Sequence, residues 1–292
     1  MGVLPGNDFV ETTGSRLANN GVSGIEKQIN EVINNGGGAI FVDEAYQLTG
    51  EHNSSGRQVL DYMLTEMENH TDRLVFILAG YSKQMEKFFE HNPGLKSRVP
   101  HELNFEDYQN PELLDMLVNL IRETYKLTPM QVEGGPHGLY SRIAIRRLGR
   151  GRGREGFGNA RSLQIMFSQI RERQAERLRK ERRRGQQPID QLLLGEDLIG
   201  PDPSKVMGES EAWKKLQSMI GLDSVKSSVK ELFVMLSTNY LRELQEKEIL
   251  QMTLNRVFLG PPGTGKTTVA QLYGKILKDL NMLSNGEGEQ TL

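Results

Sequence analysis

The chain of 292 residues has no cysteine, only five histidines and a single tryptophan. Without cysteine there is no disulfide framework, no thiolate zinc site and no thiol nucleophile. His52, His70, His91, His101 and His137 are scattered, with no metal-ligand spacing such as H-x-x-x-H. No apolar run approaches the ~20 residues that a helix needs to cross a bilayer. The first eight residues lack both the basic and the apolar segment of a signal peptide. Gly6 stands where a myristoylation signal requires Ser or Thr. The expected setting is therefore intracellular, cytoplasmic or nuclear, with no membrane contact.

Length suggests one large or two small folding units, and 25% charged with 37% hydrophobic residues fits a globular chain. The net charge of −2 conceals an uneven distribution. Between Arg142 and Arg184 there are 15 Lys and Arg against 4 Glu, so the rest of the chain is acidic. Such a block means either an RNA-binding segment or a solvated helix beside an acidic neighbour. Arg150-Gly151-Arg152-Gly153-Arg154 fits the first reading, but stacking aromatics are scarce, which favours the second.

Apolar spacing predicts helices over about 24–35, 56–69, 83–90, 111–125, 142–148, 159–184, 210–220, 224–245 and 266–280. Between the first three, Ala39–Val42 and Leu74–Ala79 are continuous apolar runs of strand length. Runs of that kind, separated by helices, indicate a parallel sheet with helices on both faces, an α/β fold. Arg256–Leu259 is a third expected strand. The segment 185–204, with Pro188, Pro201 and Pro203, has the composition of an inter-domain linker, and 284–292 is expected to fray.

The third strand runs into Gly260-Pro261-Pro262-Gly263-Thr264-Gly265-Lys266-Thr267-Thr268, which meets G-x-x-x-x-G-K-[ST] at every fixed position. Glycines there let backbone N–H groups turn toward phosphate oxygens, and the following helix adds its partial positive charge. Lys266 would reach the β- and γ-phosphates of ATP, and the Thr267 hydroxyl would ligate Mg²⁺. A β-branched strand before the loop and an amphipathic helix after it supply the context that the motif needs. Ala39-Ile40-Phe41-Val42-Asp43-Glu44 adds an apolar strand ending in two carboxylates. In that layout Asp43 holds the Mg²⁺ shell and Glu44 polarises the attacking water.

Together with Leu78-Ala79-Gly80-Tyr81, Asn92-Pro93-Gly94-Leu95-Lys96-Ser97-Arg98 and Gly158-Asn159-Ala160-Arg161-Ser162, these stretches resemble the AAA+ ATPases, within them the CbbX/stage V sporulation protein K branch. The resemblance implies a P-loop NTPase sheet with a helical lid, ATP and Mg²⁺ as ligands, and hydrolysis by a ring that remodels a protein substrate. It makes Asp43 and Glu44 the Walker B pair, Arg98 an arginine finger and Arg161 sensor 2. Sensor 1 would fall at Tyr81-Ser82, where such proteins commonly have Asn, and Phe9 is a candidate pore-loop aromatic.

The order of the parts departs from that family, because Asp43 precedes Lys266 instead of following it. The expectation is a tandem arrangement: 1–107 as the core of one module without its phosphate loop, 108–184 as its helical lid, 185–204 as linker, and 205–292 as the front of a second module. A permuted single module is the alternative. The chain alone is expected to bind nucleotide weakly and to turn over little. Its expected partners are neighbouring modules or copies in a ring and a protein substrate, with nucleic acid not expected. A non-catalytic scaffold or RNA-binding role for 142–184 is the competing reading.

Overall fold

The computed structural model describes residues 4–50, 53–91, 94–154, 156–280 and 282. Asn92-Pro93 and the tail 284–292 lie outside the described residues. The chain divides into two units, Met1–Phe105 and Glu106–Leu292.

Unit 1 is built on three parallel strands in the order β1 (Asp8–Thr13), β2 (Gly38–Asp43) and β3 (Leu74–Leu78). Between them run α1 (Gly14–Asn34) and α2 (Ser54–Asn69), each a crossover between parallel neighbours. The expected helix at 24–35 is the second half of α1, which starts ten residues earlier and bends at Gly21 (φ 65°). Leu17, Ile25, Ile29 and Val32 of α1 and Val59, Leu60 and Met63 of α2 bury against Ile40, Val42 and Leu74 on one sheet face. On the opposite face Phe9, Val75 and Ile77 are 59, 40 and 43% exposed. Helix cover is thus met on one face, where both faces were expected. Phe9 lies on a strand, its ring 6.4 Å from that of Phe41, and not on a pore loop as expected. The strand escaped sequence reading because Glu11 and the Thr12-Thr13 pair interrupt its apolar pattern. Two short helices follow β3, α3 (Ser82–His91) and α4 (Gly94–Arg98).

Unit 2 opens with α5 (Asn110–Thr124), β4 (Gln131–Val132), α6 (Leu139–Gly149) and α7 (Ala160–Arg183). Their core is Leu113, Leu117, Ile121, Ile143, Leu163, Phe167 and Ile170. The segment 185–204 is not a linker. It forms β5 (Leu192–Leu193), paired in parallel with β4, and α8 (Gly195–Ile199). Leu193, Leu198 and Ile199 complete the same core. Polar bonds from α7 hold the segment down. Arg177 donates Nε and Nη2 to the Asp197 carboxylate (3.0 and 2.8 Å), and Arg173 donates to the Asp197 and Leu198 carbonyls (2.7 and 3.1 Å). Pro203, part of the linker reading, sits in the first turn of α9 (Pro203–Glu209), where a missing N–H costs nothing.

The rest of unit 2 is α10 (Glu211–Ser218), α11 (Asp223–Leu244) and α12 (Lys266–Asp279), packed through Leu216, Leu232, Phe233, Val269, Leu272 and Ile276. The run Arg256–Leu259 forms no strand, contrary to expectation. A strand exists only by pairing, and none of the described residues pairs with it; Val257 and Leu259 face solvent.

The end of α11 packs on the α5–α8 core through Tyr240 and Leu244. Here part of the basic block finds its partners. Arg147 and Arg150 bond the Glu243 carboxylate (2.6 and 2.8 Å), while Arg142 and Arg146 bond Glu246 (both 3.0 Å). Burial raises the Glu243 pKa, but the hydrogen bonds and charges of Arg147 and Arg150 outweigh it and hold the carboxyl below its ordinary value. A lowered carboxylate pKa contributes stability above the unfolded value, and that contribution is lost as pH falls through the folded one. Glu243→Gln should therefore cost about 2 kcal/mol at neutral pH, at the low end because both arginines reach water. The gap in Tm between wild type and variant should narrow as pH falls below the ordinary carboxylate range, which thermal melts across pH would read.

Candidate nucleotide-binding site

The sequence-expected site residues fall into two main constellations, one in each unit. In unit 1, β2 is apolar until it leaves the sheet at Asp43, which is exposed and paired in register with Thr13 of β1. Asp43 Oδ1 accepts the Glu44 N–H (2.9 Å). Glu44 adopts a left-handed conformation (φ 48°, ψ 42°) as the chain turns into the short 3-10 helix Ala45–Thr49. For a residue other than glycine this conformation costs on the order of 1–3 kcal/mol, and such strain concentrates at functional turns. The surroundings enforce it. Ala45 N–H donates to Ala79 O and Ala79 N–H to Val42 O, both 2.9 Å, which locks the ends of β2 and β3 together. The Glu44 carboxylate accepts the Gln47 amide. Its backbone lies so close to Gly14 that a Cβ there would stand 2.5 Å from Glu44 O. Sequence reading missed Gly14, whose lack of a side chain this close approach requires, although a glycine directly after Thr12-Thr13 was the available signal.

The expected sensor 1 turn leaves β3 beside this end. Tyr81 is exposed with its ring 6.2 Å from Tyr46, and Ser82 begins α3. Burial, then the Glu44 and Tyr81 charges, raise the Tyr46 pKa. Arg98 is not gathered to the acidic pair. Its guanidinium bonds the Glu68 carboxylate of α2 and the Gly94 carbonyl (3.0 Å).

In unit 2, Gly260, Gly263 and Gly265 have φ of 157°, 78° and 81°, which fold the segment into a loop ahead of α12. No side chain caps that helix, so its first-turn N–H groups stay open. Nothing lies within 4 Å of a Cβ built on Gly263, and Thr264 Oγ1 closes the loop on Pro261 O (2.9 Å). Lys266 Nζ spans the loop mouth and donates to the Gly260 and Pro261 carbonyls (2.8 and 2.7 Å). A triphosphate offers that ammonium charged oxygens in place of neutral carbonyls. Pro262, Thr267 and Thr268 are exposed, and the Thr267 hydroxyl is an oxygen donor of the kind Mg²⁺ takes. Among the described residues no cluster of three or more His, Asp or Glu could hold a metal. Mg²⁺ needs no such cage, because it binds through one or two protein oxygens plus phosphate and water.

Arg161 is exposed in the first turn of α7. Its motif neighbours have structural tasks that sequence reading missed. Asn159, at a positive φ of 47°, donates to Asp107 Oδ1 (2.7 Å) and accepts the Tyr108 N–H (3.0 Å). That bond, with the Gly153 N–H next, lowers the Asp107 pKa. Ser162 Oγ accepts the Gly158 N–H (2.9 Å).

Residues 4–107 match the ATPase family associated with various cellular activities (AAA). The chain is 39% identical over 145 residues to protein CbbX of Cereibacter sphaeroides, covering 49% of this chain and 44% of that protein. Protein CfxQ of Xanthobacter flavus is 37% identical over 145 residues, covering 49% and 43%. The chloroplastic ribulose bisphosphate carboxylase/oxygenase activase of Cyanidioschyzon merolae is 31% identical over 182 residues, covering 61% and 59%. The chain spans about half the length of the curated relatives it matches. No helix among the described residues is long and apolar enough to cross a membrane. Residues 4–107 are thus similar to the AAA ATPase family, within an α/β fold with a parallel sheet, and about half of the chain is similar to the CbbX and CfxQ proteins.

Proposed function

We propose that the chain binds ATP on Gly260–Thr268 and takes part in ATP hydrolysis as a ring-forming remodelling ATPase. The observation that carries this reading is the loop itself: three glycines at positive φ, an uncapped helix behind them and the Lys266 ammonium at the mouth. Backbone N–H groups there bind phosphate oxygens, Lys266 neutralises charge, and Thr267 offers its hydroxyl to Mg²⁺. Mg²⁺ supplies charge neutralisation between the phosphates. At the acidic strand end, Asp43 is the carboxylate for the metal's shell and Glu44 the base that orients water. Arg98 serves a neighbour's site as a finger only after leaving Glu68, and Arg161 acts as sensor 2.

In this reading 1–107 is the core of one module, the helices from 108 onward are its lid, and 205–292 opens a second. The partners are further copies or modules in a ring, together with a protein to be remodelled. A rubisco-type target, named for one relative, has no counterpart in any residue discussed above. The RNA-binding alternative draws less support, because Arg142, Arg146, Arg147, Arg150, Arg177 and Arg182 are already paired with carboxylates. Calorimetric titration of the chain with ATP in Mg²⁺ is expected to show one saturable site. An absence of heat or of any saturable signal would sink the proposal.

A further inference from the structure

Unit 2 holds a cavity of about 380 Å³ lined by α6, α7 and α8. That volume falls within the ~300–1,000 Å³ of pockets that take small organic ligands. Leu280 and Met282, past the end of α12, also line it, so it lies at the other end of that helix from the phosphate loop. Helix α7 contributes Ser162, Met166, Gln169 and Arg173, which share one helix face at the i, i+4, i+7 and i+11 spacing. Leu148 of α6 and Leu198 and Ile199 of α8 add an apolar wall.

The polar groups on the α7 face have bonding capacity to spare. Arg173 gives Nε to the Asp197 carbonyl and Nη2 to the Leu198 carbonyl, while its Nη1 bonds no described residue. The half-buried Gln169 amide bonds none of them either. Ser162 Oγ accepts the Gly158 N–H (2.9 Å), which leaves its own proton to donate. Charge is the larger deficit. Arg147 also lines the cavity, but its Nε and Nη2 are taken by the Glu243 carboxylate and its Nη1 by the Ile199 carbonyl. The Asp197 carboxylate is likewise taken, by Arg177. Arg173 therefore has only neutral carbonyls as hydrogen-bond partners among the described residues. Burial, then the Arg147 charge, lower its pKa, and the Asp197 and Glu172 charges offset this only in part. A guanidinium stays protonated all the same, so a half-buried charge remains without a bonded anion.

We infer that this cavity binds an organic monocarboxylate with an apolar body. The carboxylate sits on Arg173 and Gln169, and the body lies along Met166, Leu148 and Ile199. One unmatched guanidinium calls for one negative charge, and its hydrogen bond to a carboxylate is of the strong, charge-assisted kind. Burial of the body against the apolar wall supplies the rest of the affinity. A phosphate dianion would bring a second charge that no free cation in the cavity meets, and no body to bury.

Decanoate, kept below its micellar concentration, is the probe. Calorimetric titration of the full chain is expected to show one saturable site. Decanol has the same body without the charge and should bind about tenfold more weakly or worse, the loss expected for a hydrogen bond to a charged group. Gln169→Glu sets a carboxylate one turn before Arg173, where i,i+4 pairing occupies the guanidinium. That variant should also bind decanoate about tenfold more weakly or worse, with a Tm no lower than that of wild type, which separates a filled site from a lost fold. Amide exchange should slow over 144–148 and 162–173 when decanoate is added to wild type, and not in Gln169→Glu. Lys266→Ala should take up decanoate as wild type does, because the phosphate loop is no part of this site. Equal affinity for decanoate and decanol, unchanged binding in Gln169→Glu, or tighter binding of inorganic phosphate than of decanoate overturns the assignment.

Discussion

Lys266→Ala is expected to weaken ATP binding by about ten- to a hundredfold or more. The ammonium is the only charged group in the loop, and a hydrogen bond to a charged partner contributes about 1.5–3 kcal/mol. In the structure it is held by two neutral carbonyls, which a phosphate replaces with stronger, charge-assisted contacts. The residue is half-buried at the start of α12 and belongs to no core cluster, so the fold should be unaffected. Titration of fluorescent ATP against both proteins, with matched melting curves, separates lost binding from lost folding. Equal affinity in the two would place nucleotide elsewhere or nowhere.

Asp197→Ala is expected to cost about 3–5 kcal/mol of stability. Asp197 is 1% exposed and Arg177, its bidentate partner, 10%. Removing the carboxylate leaves a guanidinium out of water with only Glu181 and the Leu192 carbonyl to compensate. The same carboxylate also accepts the Leu194 N–H at the start of α8 (2.9 Å), so the first turn of that helix loses its cap. For a unit of this size the Tm should fall by about 6–20 °C. A melting scan of the variant reads it directly, and an unchanged Tm would mean that 185–204 is the loose linker its composition suggests.

That segment shows where sequence legibility stopped. Three prolines and three glycines in 185–204 read as a linker, but Leu192-Leu193-Leu194 and Leu198-Ile199 supply five apolar residues. What holds them is invisible locally, because Arg173 and Arg177 lie on α7 and reach them only after folding. Strands β2 and β3 were legible because buried parallel strands are continuous apolar runs. By contrast, β1 mixes Glu11 and two threonines into its pattern, and 256–259 has the right composition but no pairing strand among the described residues. At the site, the phosphate loop and the acidic pair announced themselves by residue type and spacing. The left-handed turn at Glu44, the close approach of Gly14 and the Asn159–Asp107 tie depend on backbone conformation, which no spacing rule encodes.

The central claim is that the Lys266 loop and the Glu44 strand end serve one reaction, ATP hydrolysis. It is tested most directly by steady-state turnover in Mg²⁺ across a series of chain concentrations, beside Lys266→Ala and Glu44→Gln. The account predicts low turnover per chain when dilute, a rise with concentration as copies combine, and a loss of about a hundredfold or more in either variant. Turnover that is equal in all three proteins, at every concentration, would contradict it.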